Sequence, residues 1–359
     1  MKKLLIVLLA LSVVGGVFAQ EVSLSGGVRA DMGASITSDD NDDTKDVTAW
    51  FWDPKGRDFK SGTGNDGTFI RVGAKGEGAS GWVLIRTDGV WTAGGSVSII
   101  EDTLGLGVGF NRLPFGYWSS FDLQGDGHYA FGASSISRTG YLQFNILKNF
   151  FVGIAEGGKV ADKPIDADTF LPYIYLGYNH PTDDDSLFGF GLAFAGTNFN
   201  GKETGYTNDD GELVDSFSFM GKGYFNFLGI DNVTLGLNVA AYIAPDKTIF
   251  NVNGNPAAAG GGKDAFVLEG LLNAEIGIPD VCSIGLGVGV VVNLTDAEKG
   301  GGSFGLKAGL DANIPIAGGF SIIPGFAFTT YDLKTWNGSE SVSAKGNVVD
   351  FGISFEYSF

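Results

Sequence analysis

Apolar and polar residues alternate at every second position in this chain, and the alternation recurs from residue 22 to the last residue. Val22, Leu24, Gly26, Val28, Ala30, Met32, Ala34 and Ile36 interleave with Ser23, Ser25, Gly27, Arg29, Asp31, Gly33 and Ser35. The pattern returns in Val233, Leu235, Leu237, Val239, Ala241 and Ile243, and again in Phe304, Leu306, Ala308, Leu310, Ala312 and Ile314. Successive side chains of a strand point to opposite faces, so this period predicts strands with one apolar and one polar face. The charges Arg29, Asp31, Arg71, Lys75, Lys222, Glu269, Glu275, Lys307, Asp311, Asp350 and Glu356 fall among polar positions, away from the apolar face. That division suits hydrocarbon outside and water inside a sheet that closes on itself. A soluble sandwich also alternates, but its apolar faces meet in one dry core and its connections are short at both ends.

The N-terminus reads as an export signal. Lys2 and Lys3 precede an apolar run from Leu4 to Val14, and small residues lead to Ala19, the three parts of a secretory signal peptide. Cleavage after Ala19 would leave residues 20–359 as a single domain. No later segment approaches the roughly 20 unbroken apolar residues of a spanning helix, so a membrane would be crossed by strands. The 58 Gly disfavour helices, and the 29 Phe and 11 Tyr are too many for a disordered chain. Cys282 is the one cysteine, so no disulfide forms within the chain. A net charge of −18 excludes the basic face that nucleic acid requires.

The alternating stretches divide into strands near 21–36, 67–76, 80–88, 90–100, 104–111, 136–147, 150–157, 171–180, 187–197, 214–227, 233–243, 264–277, 284–294, 303–314, 320–331 and 347–359. This is an all-β, closed antiparallel transmembrane barrel of about 16 strands, with 14 and 18 as alternatives. Trp82 and Leu84 share parity with Arg86 and Asp88, which leaves the faces of that segment mixed. Short connections at Lys148-Asn149, 181–186, 228–232 and 315–319 alternate with long ones at 37–66, 112–135, 198–213, 244–263 and 332–346, matching short periplasmic turns and long external loops. Pro324 lacks an amide donor inside an apolar-face run, which predicts a bulge or a strand end there. Phe150, Phe188, Phe227, Phe320 and Phe359 stand beside short turns, as an aromatic girdle would.

The last strand, Val349-Asp350-Phe351-Gly352-Ile353-Ser354-Phe355-Glu356-Tyr357-Ser358-Phe359, resembles the C-terminal signature of bacterial outer-membrane barrel proteins. In that family the assembly machinery reads Phe351, Ile353, Phe355, Tyr357 and the terminal Phe359. The Gly-rich, Phe-rich strands and acidic loops also look like the porin-like proteins of spirochaetes such as treponemes. The resemblance implies outer-membrane lipid and the barrel assembly machinery as partners, and homotrimers. General porins carry a third external loop folded into the lumen; residues 112–135, with Arg112, Phe115, Tyr117, Trp118, Asp122 and Asp126, occupy the comparable place.

The six arginines all precede residue 139. By parity Arg29, Asp31, Arg71, Lys75, Arg86, Glu269, Glu275, Lys307 and Asp311 line the pore, with the arginines on one wall and the acids well around the circumference. A transverse field would then select solutes by charge. The acidic stretches at 39–43, 183–185 and 208–210 complete no calcium-loop spacing and read as solvated loops, so no metal site is assigned. Gly285-Leu286-Gly287-Val288-Gly289 alternates as strand and is no phosphate cradle. With His128 and His180 as the two histidines and no motif joining either to a nucleophile, no catalytic residue and no cofactor is expected. The chain thus reads as a porin passing small hydrophilic solutes or ions. A surface-displayed adhesin and a hydrophobic-substrate transporter are the alternatives; strand alternation from Val22 leaves the latter no N-terminal plug.

Overall fold

The structure, a computed structural model, describes residues 19–39, 42–53, 59, 68–87, 91–101, 103–110, 141–147, 149–157, 171–180, 187–199, 212, 216–244, 265–294, 302, 304–336 and 341–359. Every regular element among them is a strand: β1 (Ala19–Asp39), β2 (Asp42–Asp53), β3 (Phe69–Gly76), β4 (Ala79–Arg86), β5 (Trp91–Ile100), β6 (Leu104–Phe110), β7 (Tyr141–Ile146), β8 (Phe150–Gly157) and β9 (Leu171–His180). There follow β10 (Phe188–Phe199), β11 (Ser216–Ile230), β12 (Val233–Ala244), β13 (Ala265–Ile278), β14 (Cys282–Asn293), β15 (Phe304–Ala317), β16 (Phe320–Trp336) and β17 (Ser341–Ser358).

From β3 to β17 each strand pairs antiparallel with the next, and β17 pairs with β1, closing the ring. Closure leaves no edge of unpaired backbone groups, which hydrocarbon could not satisfy. β2 and β3 are two halves of one stave. β2 lies against Asp31 to Asp39 of β1, and β3 against Ala19 to Gly27. The 17 strands therefore make a closed barrel of 16 staves, which sets aside 14 and 18.

Two expected long loops prove to be partly strand. Within 37–66, Asp42–Asp53 folds back along β1; within 332–346, β16 continues to Trp336 and β17 begins at Ser341. In β2, outward Val47, Ala49 and Phe51 do alternate with inward Asp46, Thr48 and Trp50, but three such positions between polar flanks make too short a run to stand out. At Pro324 there is neither bulge nor strand end. The ladder to β15 lapses between the pairs Asp311–Gly325 and Ile314–Ile322, then resumes in the same register, while pairing to β17 continues through Pro324–Ile353. The gap falls opposite the residue that lacks a donor.

The alternation becomes an inside and an outside. Val22, Phe150, Leu176 and Leu272 are exposed on the outer face, whereas Arg29, Asp31, Ala193, Lys307 and Thr329 are buried on the inner one. Between the rims, the outward side chains of the described strands carry no charge. The outward Lys345 and Asp332, near the long-loop end, pair with each other at 2.8 Å. Turns at the opposite end are tight. Gly318 and Gly319 adopt φ of 59° and 84° between β15 and β16, a left-handed pair whose twist matches the flanking strands. At the seam, Gly26 and Phe359 exchange backbone hydrogen bonds of 3.0 and 3.1 Å, and the terminal ring lies over Gly26, where a Cβ would stand 2.5 Å from it.

Candidate functional site: the inner wall

Register carries all of Arg29, Asp31, Arg71, Lys75, Arg86, Glu269, Glu275, Lys307 and Asp311 to the inner face, but it gives them different surroundings. Arg29 is tied down. Its Nε donates to Asp31 Oδ1 at 3.0 Å, one terminal nitrogen to Ser354 Oγ at 2.9 Å and the other to Glu356 Oε2 at 3.4 Å. The Arg29 and Asp31 side chains are 4% and 2% exposed. A guanidinium with its fork filled by carboxylates is a brace between β1 and β17. One step up the seam, Ser35 donates to Asp350.

On the far side, acids and lysines interleave. Lys222 and Glu269 flank Ala240 in register, Lys307 follows on β15, and Asp311 stands opposite Gly285 and Gly325. Lys222, Glu269, Lys307 and Asp311 are all buried. Two lysines, Lys222 and the expected pore-lining Lys307, stand among these acids, and the expected basic wall loses Arg29 to its ion pairs.

The sector β3 to β7 is open by contrast. Arg71 is exposed and lies over the Trp82 ring at 5.0 Å, a cation–π contact that aims the guanidinium along the wall. Trp82, Leu84 and Arg86 face inward with Arg71, as the pairs Arg71–Leu84 and Gly73–Trp82 require. Lys75, also exposed, borders a recess of about 330 Å³ near the short-turn end, with Ser80, Ser96, Ser98 and Asn145 among its polar lining. Ser80 and Ser96 hydrogen-bond across β4 and β5 at 3.0 Å.

The split stave creates a local problem that one residue solves. Arg29 falls between the parts of β1 that pair with β2 and β3, so its backbone N–H and C=O on that side are met from outside the ladder. Thr68 supplies both: its hydroxyl accepts from Arg29 N at 3.0 Å and donates to Arg29 O at 3.2 Å. Neither Thr68 nor the inward aromatics Trp50 and Phe59 stood out in the sequence, because nothing in a polar stretch marks which residue turns inward.

Arg112, Phe115, Tyr117, Trp118, Asp122, Asp126 and His128 lie outside the described residues. His180 turns outward, stacked at 6.5 Å on Tyr178 and 5.4 Å from Phe190. Phe150, Tyr178, Phe188 and Phe225 extend this into an aromatic belt at the short-turn end. Among the described residues no group of three or more His, Cys, Asp or Glu gathers as metal ligands would. Phe351, Ile353 and Tyr357 face outward on β17, and Phe359 beyond it.

Comparison with solved structures follows this architecture. The chain superposes over 94% of its length on 97% of the outer membrane channel DcaP of Acinetobacter baumannii, with a TM-score of 0.58 and 14% identity. It matches 99% of the anion-selective porin from Comamonas acidovorans with a TM-score of 0.55 and 12% identity. The chain has a porin-like outer-membrane barrel fold. The trimer form of OmpT, an outer membrane protein of Vibrio cholerae, has the same fold with a TM-score of 0.52 and 11% identity over 94% of this chain and 99% of that one. No family model and no curated protein sequence matches, and the treponemal resemblance finds no support among these similar structures.

Proposed function

We propose that this barrel is a passive outer-membrane channel for small hydrophilic solutes or ions. The observation that carries the reading is the division of the closed wall: an outer face without charge between its rims, and an inner face bearing charged residues, with Arg71, Lys75 and Glu275 exposed. A 16-stave barrel has the circumference for an aqueous bore. Arg71, Lys75 and Glu275 supply the charge that passing ions meet, and the buried inner charges hold the wall rigid.

Export by a cleaved leader at residues 1–19, recognition of the final strand by the assembly machinery, and association into trimers belong to the same proposal. The trimer form of the Vibrio cholerae protein supports the last; cross-linking in outer-membrane vesicles checks it. Planar-bilayer recording of the refolded protein tests the channel itself. Stable, uniform current steps are expected, and a folded barrel that inserts without conducting would return the reading to a surface adhesin.

A further inference from the structure

The inner wall divides by charge as well as by packing. Arg71, Lys75 and Arg86 face inward on β3 and β4, and Lys222 faces inward on β11. Across the six consecutive strands between them, β5 to β10, the described inward side chains carry no charge. Ser96, Gly107, Gln143, Gly153, Tyr175 and Ala195 follow one another around this part of the wall in register. Such a sector offers an ion no counter-charge. What it offers a solute is hydroxyls, carboxamides and rings.

At the short-turn end the sector opens into the recess of about 330 Å³ beside Lys75. Gly105 makes the hollow. In register it stands between Ser98 on β5 and Asn145 on β7, and without a side chain it leaves the space between them empty. A Cβ built there would meet Asn145 Cβ and Nδ2 at 3.5 Å, an ordinary contact, so a side chain at 105 would occupy that space. Glycine inside a strand marks a place where another group comes close. Polar groups ring this one. Ser80, Ser96 and Ser98 are exposed, and the hydrogen bond between Ser80 and Ser96 uses one donor of the pair, leaving a second donor and further lone pairs. Gln143 Nε2 donates to Asn145 Oδ1, which sets the Asn145 amide with its NH2 on the Gly105 side.

The balance of these groups selects a class of ligand. An anion needs donors alone, and Lys75 at the edge of the recess stands opposite Glu21 in the ladder between β1 and β3, both of them exposed. Neighbouring hydroxyls on one molecule donate and accept together, as serines and a carboxamide do in return. Phe151 follows Asn145 in register and lies, half-buried, over Gly177, so an apolar ring borders the amide as the carbon side of a polyol requires. The volume is near the roughly 300 Å³ lower end of small-molecule sites. We infer that this recess is a binding subsite for neutral polyhydroxylated solutes of about the size of a single sugar ring. The inference rests on the channel reading above and names the solute class that this part of the wall favours.

The test adds glucose, inorganic phosphate or triethylene glycol dimethyl ether during bilayer recording of wild type, Ser96→Ala, Asn145→Ala and Gly105→Val. The ether is close to glucose in size and has no hydroxyl. Each current is divided by the conductivity of the same solution, so that a saturating fall reports occupancy of the bore. Stable current steps in salt alone establish that a barrel has folded and inserted. Glucose should lower the wild-type current saturably, and the ether should not. Ser96→Ala and Asn145→Ala should each raise the half-blocking glucose concentration about fivefold, the worth of one hydrogen bond. Gly105→Val, which fills the hollow, should abolish the block. No saturable fall with glucose in a conducting wild type, an equal fall with the ether, or a fall with phosphate alone would overturn the inference while leaving the channel intact. Undiminished glucose block in those of the three variants that fold would overturn it too, by placing the binding elsewhere. A wild type that does not conduct would overturn both readings.

Discussion

Arg29 and Arg71 occupy equivalent places in the alternation, one stave apart on the inner wall, and they have opposite fates. Around Arg29 the wall is packed: two carboxylates and a serine hydroxyl fill the guanidinium's fork, and Trp50 and Phe59 lie against the nearby inward glycines Gly33 and Gly325. Around Arg71 the wall is open, with one indole beneath the charge and a hydroxyl-lined recess below it. The contrast teaches that inward parity assigns a charge to the bore but not to a task. The cross-strand neighbours decide whether it braces the wall or meets solutes.

The packed sector should be costly to disturb and the open one cheap. The largest effect is expected for Asp31→Ala, which removes the nearest partner of a buried guanidinium and should cost about 3–5 kcal/mol of stability, read by urea unfolding of the folded barrel in detergent. Thr68→Val comes next. It keeps the shape but withdraws the hydroxyl from both backbone groups of Arg29, at about 1–3 kcal/mol in the same assay. Arg71→Glu should cost only about 0.5–1 kcal/mol, the worth of an exposed cation–π contact, while shifting reversal potential toward cation preference. Ser96→Ala, at the recess, should stay within about 0.5 kcal/mol of wild type. If Arg71→Glu unfolded the barrel and Asp31→Ala left it stable, the two sectors would have been assigned the wrong way round.

Much of the fold is legible because a barrel in lipid writes its inside and outside at alternate positions. Leu235, Leu237 and Val239 declare the outer face of β12 without any knowledge of its partners. Register is different. Glu356 stands opposite Arg29 only because the last strand closes on the first, and nothing local to either residue records it. The mixed parity of Trp82, Leu84 and Arg86 becomes intelligible once Gly73 is seen opposite Trp82: apolar side chains can line the bore where a charge lies across them. The strand at 42–53 was illegible because only Val47, Ala49 and Phe51 mark its outer face, a short run between polar flanks. Phe59 was illegible for a related reason. A single Phe in the polar run 53–68 acquires meaning only when the inward Gly325 is seen against its ring.

The claim on which all of this depends is that alternate residues of β3 meet water in a conducting bore while their neighbours meet lipid. Single cysteines placed at residues 69 to 75 in a Cys282→Ser background, treated with a charged, membrane-impermeant thiol reagent during bilayer recording, test it directly. The account predicts current blocks at 69, 71, 73 and 75 and none at 70, 72 and 74. Reaction at every position, or reaction at the odd positions without any change in current, would contradict it.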